Sequence, residues 1–573
     1  VVRPRIEHPA ARLTILWAAL AGLRWIAALP IVEPRIFRDE LLHWQLAKAI
    51  AAHQPFTFFG QPLDYPAVLY PAAISVVFHA VDGRAAFDLV RGLNAAFVSA
   101  VVFPAYLLAR ELTDVRTALL AACLAGLAPG GVYSALIMQE SLYYPLFVLS
   151  CWLCLRVLAH GKPRDALACA LALSVTYLTK PLALMLVAAY GVTAAWWLAR
   201  HRQGATLPAL AIRLAPIAAL GATLAVRHFL APGGGDADSA SDFLLSRFYA
   251  QELGGPVLPP IVPLAAVVVG LVAALALGTG VAPLAGMVRR GGAKPGDGLG
   301  AGLRVFALVV TAAYVVAAAR HTLLLNDAPK MHERYLFAMG PLLFTLLLGR
   351  RAAPVSRWAV GAVCLLVVLA VAPLGRTVLT DRTWVDAPSL TLPWFLRRTW
   401  HSGGLAALAV GSLAGAVGLA ARRAGDTPTV AAAWMAGWLV LLNGGWYLAL
   451  YRQNYLDATS ALVQVFEHRL EPADRVTIVQ DGGEIPQRLT QHFKFWLGER
   501  VTGYWAAGGD ASGYSDRSGP LAEAVRRTDA AYVIARPGFD AVCPGARAAA
   551  EFAPAPALGV VVFAIPHGTC GRG

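Results

Sequence analysis

The sequence predicts an all-α polytopic membrane protein, with about thirteen transmembrane helices and a small C-terminal α/β domain outside the bilayer. Three observations carry that prediction. Of 573 residues, 58% are hydrophobic and only 14% charged, where an ordinary soluble protein is about 25% charged. Apolar runs recur from the start of the chain to about residue 450. After residue 451 the composition turns polar, with no run long enough to span. A disordered or collagen-like chain is excluded, because Leu, Ala, Val and Trp are abundant and no short repeat governs the glycines. The formal charge of +14 would suit a nucleic-acid partner in a soluble protein. Here the basic residues cluster between apolar runs, so the charge reads as topology and no nucleic acid is expected.

A span needs roughly 20 apolar residues. Candidate spans lie at 12–32, 92–109, 117–130, 141–158, 166–179, 182–199, 214–226, 261–288, 305–319, 335–349, 358–375, 405–421 and 429–450. A further run at 67–81 has only the length of a re-entrant or interfacial piece. If it does not cross, Arg3, Arg110, Lys162, Arg200, Arg289, Arg350 and Arg422, with the basic residues around them, all fall on one side. Cytoplasmic loops are enriched in Lys and Arg. The expectation is therefore a multi-pass protein of a bacterial inner (plasma) membrane, N-terminus cytoplasmic and last domain outside. Residues 1–451 form the transmembrane domain, including a first outer loop at 33–91, and residues 452–573 the outer domain. In the tail, short β-type runs at 475–479, 531–534 and 560–563 alternate with helix-like stretches such as 521–527.

Arg24 lies inside the first span, where an unpaired cation costs about 2.5–3.5 kcal/mol, so it needs a partner or must reach the outer end. Cys151 and Cys154 have the spacing of a redox or zinc motif, but without a second pair they read as small apolar residues. Cys543 and Cys570 share the outer, oxidising side in this topology, and a disulfide between them is expected.

In the first outer loop, residues 39–53 follow helical spacing with Trp44 at the interface, so an amphipathic helix starts near Asp39 and Glu40. Two adjacent acids in a first helical turn have a plain reading, as caps that suit the helix dipole for about 0.3–1 kcal/mol. The other reading is chemical, and the residues alone leave both open. Asp39, Glu40 and His43 include metal-ligating types, yet no second Asp/His cluster stands nearby. A divalent metal is possible on composition and is not assigned.

The order of the motifs carries a resemblance. A span is followed by the Asp-Glu helix and by Asp64-Tyr65-Pro66-Ala-Val-Leu-Tyr70-Pro71. Then come Arg91-Gly-Leu-Asn94 through Tyr106-Leu-Leu-Ala-Arg110, Gln139-Glu140-Ser-Leu-Tyr-Tyr-Pro145-Leu-Phe, Thr179-Lys180-Pro181 and Glu333-Arg334-Tyr335-Leu-Phe. Across about the first 350 residues this resembles the GT-C glycosyltransferases, in the branch of aminoarabinose transferases and protein O-mannosyltransferases. The resemblance implies an enzyme that moves a sugar from a polyprenyl-phosphate donor to an envelope lipid, glycan or protein on the outer side, with inversion. It implies Asp39 as the base on the acceptor hydroxyl, where positioned general bases give typically 10²–10⁴-fold, with Glu40 as second choice. Lys180, Arg334, Lys330, Arg320 and His332 are the candidates for the donor phosphate, since Arg and Lys supply the donors and charge that phosphate oxygens need. Their plain reading is contact with lipid headgroups. Tyr65, Tyr70, Glu140, Tyr335 and His43 are candidates for substrate contact, with helix capping as the plain reading of Glu140. The aminoarabinose branch carries a Lys before its Pro-Pro turn, where this chain has Tyr65, so donor identity does not transfer.

A transporter or flippase of lipid-linked sugars is the alternative from another class. It would show paired repeats or spans broken at the midplane, and the notable polar residues here gather instead at one face. A structural or sensory role would leave the outer acids and cations unexplained.

Overall fold

The computed structural model describes residues 9–35, 37–58, 61–200, 206–230, 261–281, 283–284, 298–324, 332–349, 357–374, 386–423, 427–453, 458–471, 473–480, 487–505, 517–518, 530–535, 537, 543, 546–550, 552 and 555–565. All thirteen predicted runs coincide with helices. The first ten helices are α1 (Pro9–Ala28), α2 (Phe37–Ala51), α3 (Leu69–Phe78), α4 (Gly83–Ser99), α5 (Val102–Arg110), α6 (Val115–Leu127), α7 (Glu140–His160), α8 (Pro163–Thr179), α9 (Ala183–Arg200) and α10 (Leu207–Leu230). Later ones follow at Ile261–Thr279, Gly298–Leu324, Gly340–Leu348, Arg357–Leu374, Thr391–Trp400, Gly403–Arg423 and Pro428–Gln453. Among the described residues, eight are long and apolar enough to cross a membrane. A ninth results if α6 and the turn Pro129–Ala135, bent by 49°, form one span. The other four runs also fold as helices: Ile261–Thr279 has 19 residues, Arg357–Leu374 18, α8 17 and Gly340–Leu348 only nine. At a rise of about 1.5 Å per residue, the ten residues of α3 cover about 15 Å, half of a bilayer core. The 67–81 run is therefore too short to span as a helix.

The chain divides into two compact units. The first comprises Val1–Pro30, Asp64–Tyr70 and Val90–Tyr451. Its helices start and stop where the chemistry dictates. Asp114 caps α6, its Oδ1 accepting the Thr117 amide at 2.9 Å. Gly161 ends α7 in the left-handed region (φ +59°), which allows α8 to return antiparallel after only Lys162. Polar ties then run along the α7–α8 hairpin: Ser150 Oγ lies 2.9 Å from Thr176 Oγ1, and Arg156 bridges Asp165 at 3.3 Å. Arg24 finds the partners its position requires. It is buried and donates to Ser99 Oγ at 2.6 Å and to the Gly126 carbonyl. Gly131 makes room for it, since a Cβ there would sit 2.1 Å from the guanidinium.

The second unit comprises Ile31–Leu63, Pro71–Leu89 and Arg452–Gly573. It holds a six-stranded sheet in the order β5-β4-β3-β6-β8-β7. Its strands are β3 (Val476–Gln480), β4 (Val501–Trp505), β5 (Arg517–Ser518), β6 (Tyr532–Ala535), β7 (Arg547–Ala548) and β8 (Val561–Ala564); β1 (Thr57–Phe58) and β2 (Gln61–Pro62) form a separate hairpin. β5, β4, β3 and β6 are parallel, and β8 and β7 are added antiparallel. Helix Gln487–Leu497 connects β3 to β4, the crossover a parallel pair requires. The three predicted β runs are β3, β6 and β8; the expected helix at 521–527 lies outside the described residues. Val479, Val533, Cys543 and Phe563 belong to the sheet's buried core. Cys543 is disulfide-bonded, and Cys123, Cys151, Cys154, Cys169 and Cys364 are free thiols; Cys570 lies outside the described residues.

The same unit draws in residues 31–63 and 71–89. Trp44 on α2 is buried and stacks on Phe495 of the crossover helix at 4.7 Å and 20°, with Phe78 and Phe87 edge-on. Arg84 bridges Glu33 at 3.5 Å and Glu467 at 3.6 Å and lies over the Trp496 ring, whose Nε1 donates to Glu33 at 2.9 Å. Burial pushes the Glu33 carboxyl above its ordinary range, against the Trp496 hydrogen bond and the Arg84 charge.

Candidate functional site

In the first unit, a buried charge cluster forms where helices end. Glu140 opens α7 and Lys180 follows the last residue of α8. A carboxylate suits a helix N-terminus and an ammonium a C-terminus. The tight α7–α8 turn brings together those two ends, 40 positions apart in the chain. Lys180 Nζ donates to Glu140 Oε1 at 2.5 Å, with both side chains under 10% exposed. Arg334, in a single 3-10 turn Glu333–Tyr335, places Nε 3.8 Å from the same Glu140 oxygen and 3.7 Å from Asp386 Oδ1. Two cations and two carboxylates thus meet in a site closed to bulk water, where each charge needs its neighbours.

Aromatic rings line the cations. Lys180 Nζ is 4.5 Å from the centre of the Tyr335 ring and 5.8 Å from that of Tyr143. The Arg334 guanidinium is 5.5 Å from the Tyr335 ring. His332 is buried and stacks on Tyr335 at 5.8 Å, and His321 meets His332 edge-on at 4.4 Å. Tyr335 itself is only half-buried. Beside the cluster, Glu333 Oε2 accepts the Ser389 amide at 3.0 Å. Its Oε1 would lie 3.2 Å from a Cβ at Gly278, and the Ser389 hydroxyl oxygen 2.4 Å, so no side chain fits there without movement. Burial, opposed only by the Ser389 hydrogen bonds, pushes the Glu333 carboxyl up to about 8.

Lys180, Arg334, His332, Tyr335 and Glu140 therefore meet in one place. Arg320 is half-buried one residue before His321 in helix Gly298–Leu324, and Lys330 lies outside the described residues. Tyr65 is buried and donates to Gln139 Oε1 at 3.3 Å, next to Glu140 in the chain. The Tyr70 hydroxyl is fully buried against the Asn94 amide at 3.0–3.1 Å, and Asn94 donates to the Leu136 carbonyl at 2.8 Å. Tyr70 is thus a tie inside its own unit.

Asp39, Glu40 and His43 belong to the second unit, on α2. Glu40 is buried and accepts the amide of Arg35, two residues before α2, at 2.5 Å. His43 is buried, and Asp39 is half-buried in the first turn. Among the described residues no three His, Cys, Asp or Glu side chains gather as a metal site. Sequence reasoning missed Asp386, Tyr143 and His321. Asp386 stands in a polar connection with no motif around it, and only the fold places it on Arg334.

Comparison with known proteins gives two kinds of match. The family model described as dolichyl-phosphate-mannose-protein mannosyltransferase matches residues 67–223, which include Glu140 and Lys180. No curated protein matches the chain by sequence. Among solved structures, ArnT from Cupriavidus metallidurans bound to undecaprenyl phosphate superposes with a TM-score of 0.56 at 14% identity, over 98% of this chain and 99% of that one. ArnT in the apo state gives 0.53 at 15%, over 98% and 100%. The likeness is one of fold, and it runs from end to end of both chains. Neither comparison supports a transporter. The chain thus has the fold of ArnT, and residues 67–223 within it match the mannosyltransferase family model.

Proposed function

We propose that this protein transfers a sugar from a polyprenyl-phosphate carrier to an envelope lipid, glycan or protein on the outer side of a bacterial inner membrane. The observation that carries the reading is the pair of buried cations, Lys180 and Arg334, sharing Glu140 against the half-buried Tyr335 ring. The acceptor hydroxyl oxygen attacks the anomeric carbon from the face opposite the phosphate. The bond from that carbon to the phosphate oxygen breaks, and its electron pair leaves with the phosphate. Lys180 and Arg334 offset the charge that develops there, as preorganised donors do in a water-poor site. A base beside the acceptor takes the hydroxyl proton, the role that the family resemblance gives to Asp39. The configuration at the sugar inverts.

The test is direct. Purified protein is incubated with radiolabelled polyprenyl-phosphate sugars and a membrane extract, and wild type is compared with Asp39→Ala. Transfer by the wild type and at least a hundredfold loss in the variant support the reading. No transfer from any donor, or full activity in the variant, overturns it. The orientation is part of the proposal, with the N-terminus cytoplasmic and the last domain outside. A reporter fused within residues 82–91 that gives a cytoplasmic signal would refute it.

A further inference from the structure

We propose that Glu140 is a built-in stand-in for the donor's phosphate: it holds Lys180 and Arg334 while the site is empty, and the phosphate displaces it. The idea rests on the polyprenyl-phosphate reading above and adds a role for the cluster's own anion. One oxygen of Glu140 serves both cations, at 2.5 Å from Lys180 Nζ and 3.8 Å from Arg334 Nε. That position lies between two cations, where a phosphate oxygen would sit to use both. Asp386 supplies Arg334 with a second carboxylate at 3.7 Å, so the guanidinium keeps a partner when Glu140 yields. The Tyr335 ring, 4.5 Å from the Lys180 ammonium, gives that ammonium a second neighbour during the exchange.

Charge balance says why such a stand-in is useful. Lys180 and Arg334 against Glu140 and Asp386 make a neutral cluster. A donor phosphodiester carries one negative charge, while the phosphate monoester product carries about 1.5 to 2 near neutral pH. Two bare cations in a buried site would hold the product harder than the donor, and tight binding of that kind slows turnover. A carboxylate that competes for the same cations weakens product and donor binding alike, and the product leaves.

The experiment measures binding of undecaprenyl monophosphate to the full-length purified chain, by tryptophan fluorescence and by the ligand-induced rise in melting temperature. Glu140→Gln keeps an oxygen acceptor for Lys180 but removes the competing charge. It should bind at least tenfold tighter than wild type and show a larger ligand-induced rise, with kcat and KM both lowered. Glu140→Asp keeps the charge and shortens its reach by one methylene; it should fall between the two, and it serves as the second variant if the glutamine form folds poorly. Equal or weaker binding by both variants, with binding abolished in Lys180→Met, would show that Glu140 only holds the fold and would overturn the proposal. Unchanged binding in both Lys180→Met and Arg334→Met would instead remove the phosphate site itself. Those two failures are distinguishable.

Discussion

Removing one side of the Lys180–Glu140 pair separates what the cluster does for stability from what it does for chemistry. In Lys180→Met the apolar stem is kept and the charge is lost, leaving Glu140 about 1% exposed with Arg334 at 3.8 Å as its remaining cation. Breaking a buried ion pair from one side costs about 3–5 kcal/mol. Because Arg334 stands by, the lower end, about 3 kcal/mol, is expected, or roughly a hundredfold in the folded-to-unfolded ratio. Replacing both partners with apolar residues of similar volume removes the uncompensated charge, so Lys180→Met/Glu140→Leu should return to within about 1 kcal/mol of wild type. Sugar transfer should not return, since the double variant lacks a phosphate ligand; a loss of about 10²–10³-fold is the scale for one charge-stabilising donor. Thermal unfolding followed by tryptophan fluorescence in detergent reads the first quantity, and initial rates of radiolabel transfer read the second. A double variant as unstable as the single one would refute the buried-pair argument. A stable double variant that still transfers sugar at the wild-type rate would remove Lys180 from the site.

Trp44→Ala should cost the second unit about 3–5 kcal/mol, because it deletes a fully buried ring stacked on Phe495 at 4.7 Å; faster trypsin cleavage of that unit checks it, and unchanged resistance counts against the packing described. Gly278→Val should push Ser389 off Glu333 and reduce transfer at least tenfold, with Gly278→Ala milder, since even a Cβ lies 2.4 Å from the Ser389 hydroxyl oxygen. Burial pushes the Glu333 carboxyl up to about 8, above its ordinary range, so between the two the unfolded chain releases a proton that the folded one keeps, and the group's contribution to stability falls as pH rises. Melting temperatures from pH 5 to 8 should therefore show a downward component that Glu333→Gln removes; an identical slope in the variant would contradict the burial argument.

Much of this fold is legible in the chain because a bilayer demands long apolar runs and a loop demands charge. All thirteen runs became helices, and 67–81 became the ten-residue helix its length implied. Lys180, Glu140 and Arg334 stand out because charge is scarce at span ends. Asp386 does not, because it sits in an already polar connection and only the packing of Pro388–Leu390 against Glu333 aims it. Glu40 shows the reverse. Its place beside Asp39 permits two readings, and the bond it makes to the Arg35 amide, ahead of the helix, follows from neither. The pairing of Trp44 with Phe495 was beyond reach of local pattern, since 451 positions separate them.

That separation governs how the molecule is made. The second unit is assembled from three stretches of chain, two of which emerge within the first ninety residues and the third only after residue 451. During synthesis the early stretches must wait, with Trp44 and Phe87 uncovered, until the span-rich middle of the chain has been inserted and the helix at Gln487–Leu497 arrives. The second unit is therefore the last part of the protein to become native, and its closure reports that everything between has been made. Neither residues 1–451 nor 452–573 alone contain that core, so a cut at this point gives two incomplete fragments rather than an enzyme half and a separable domain.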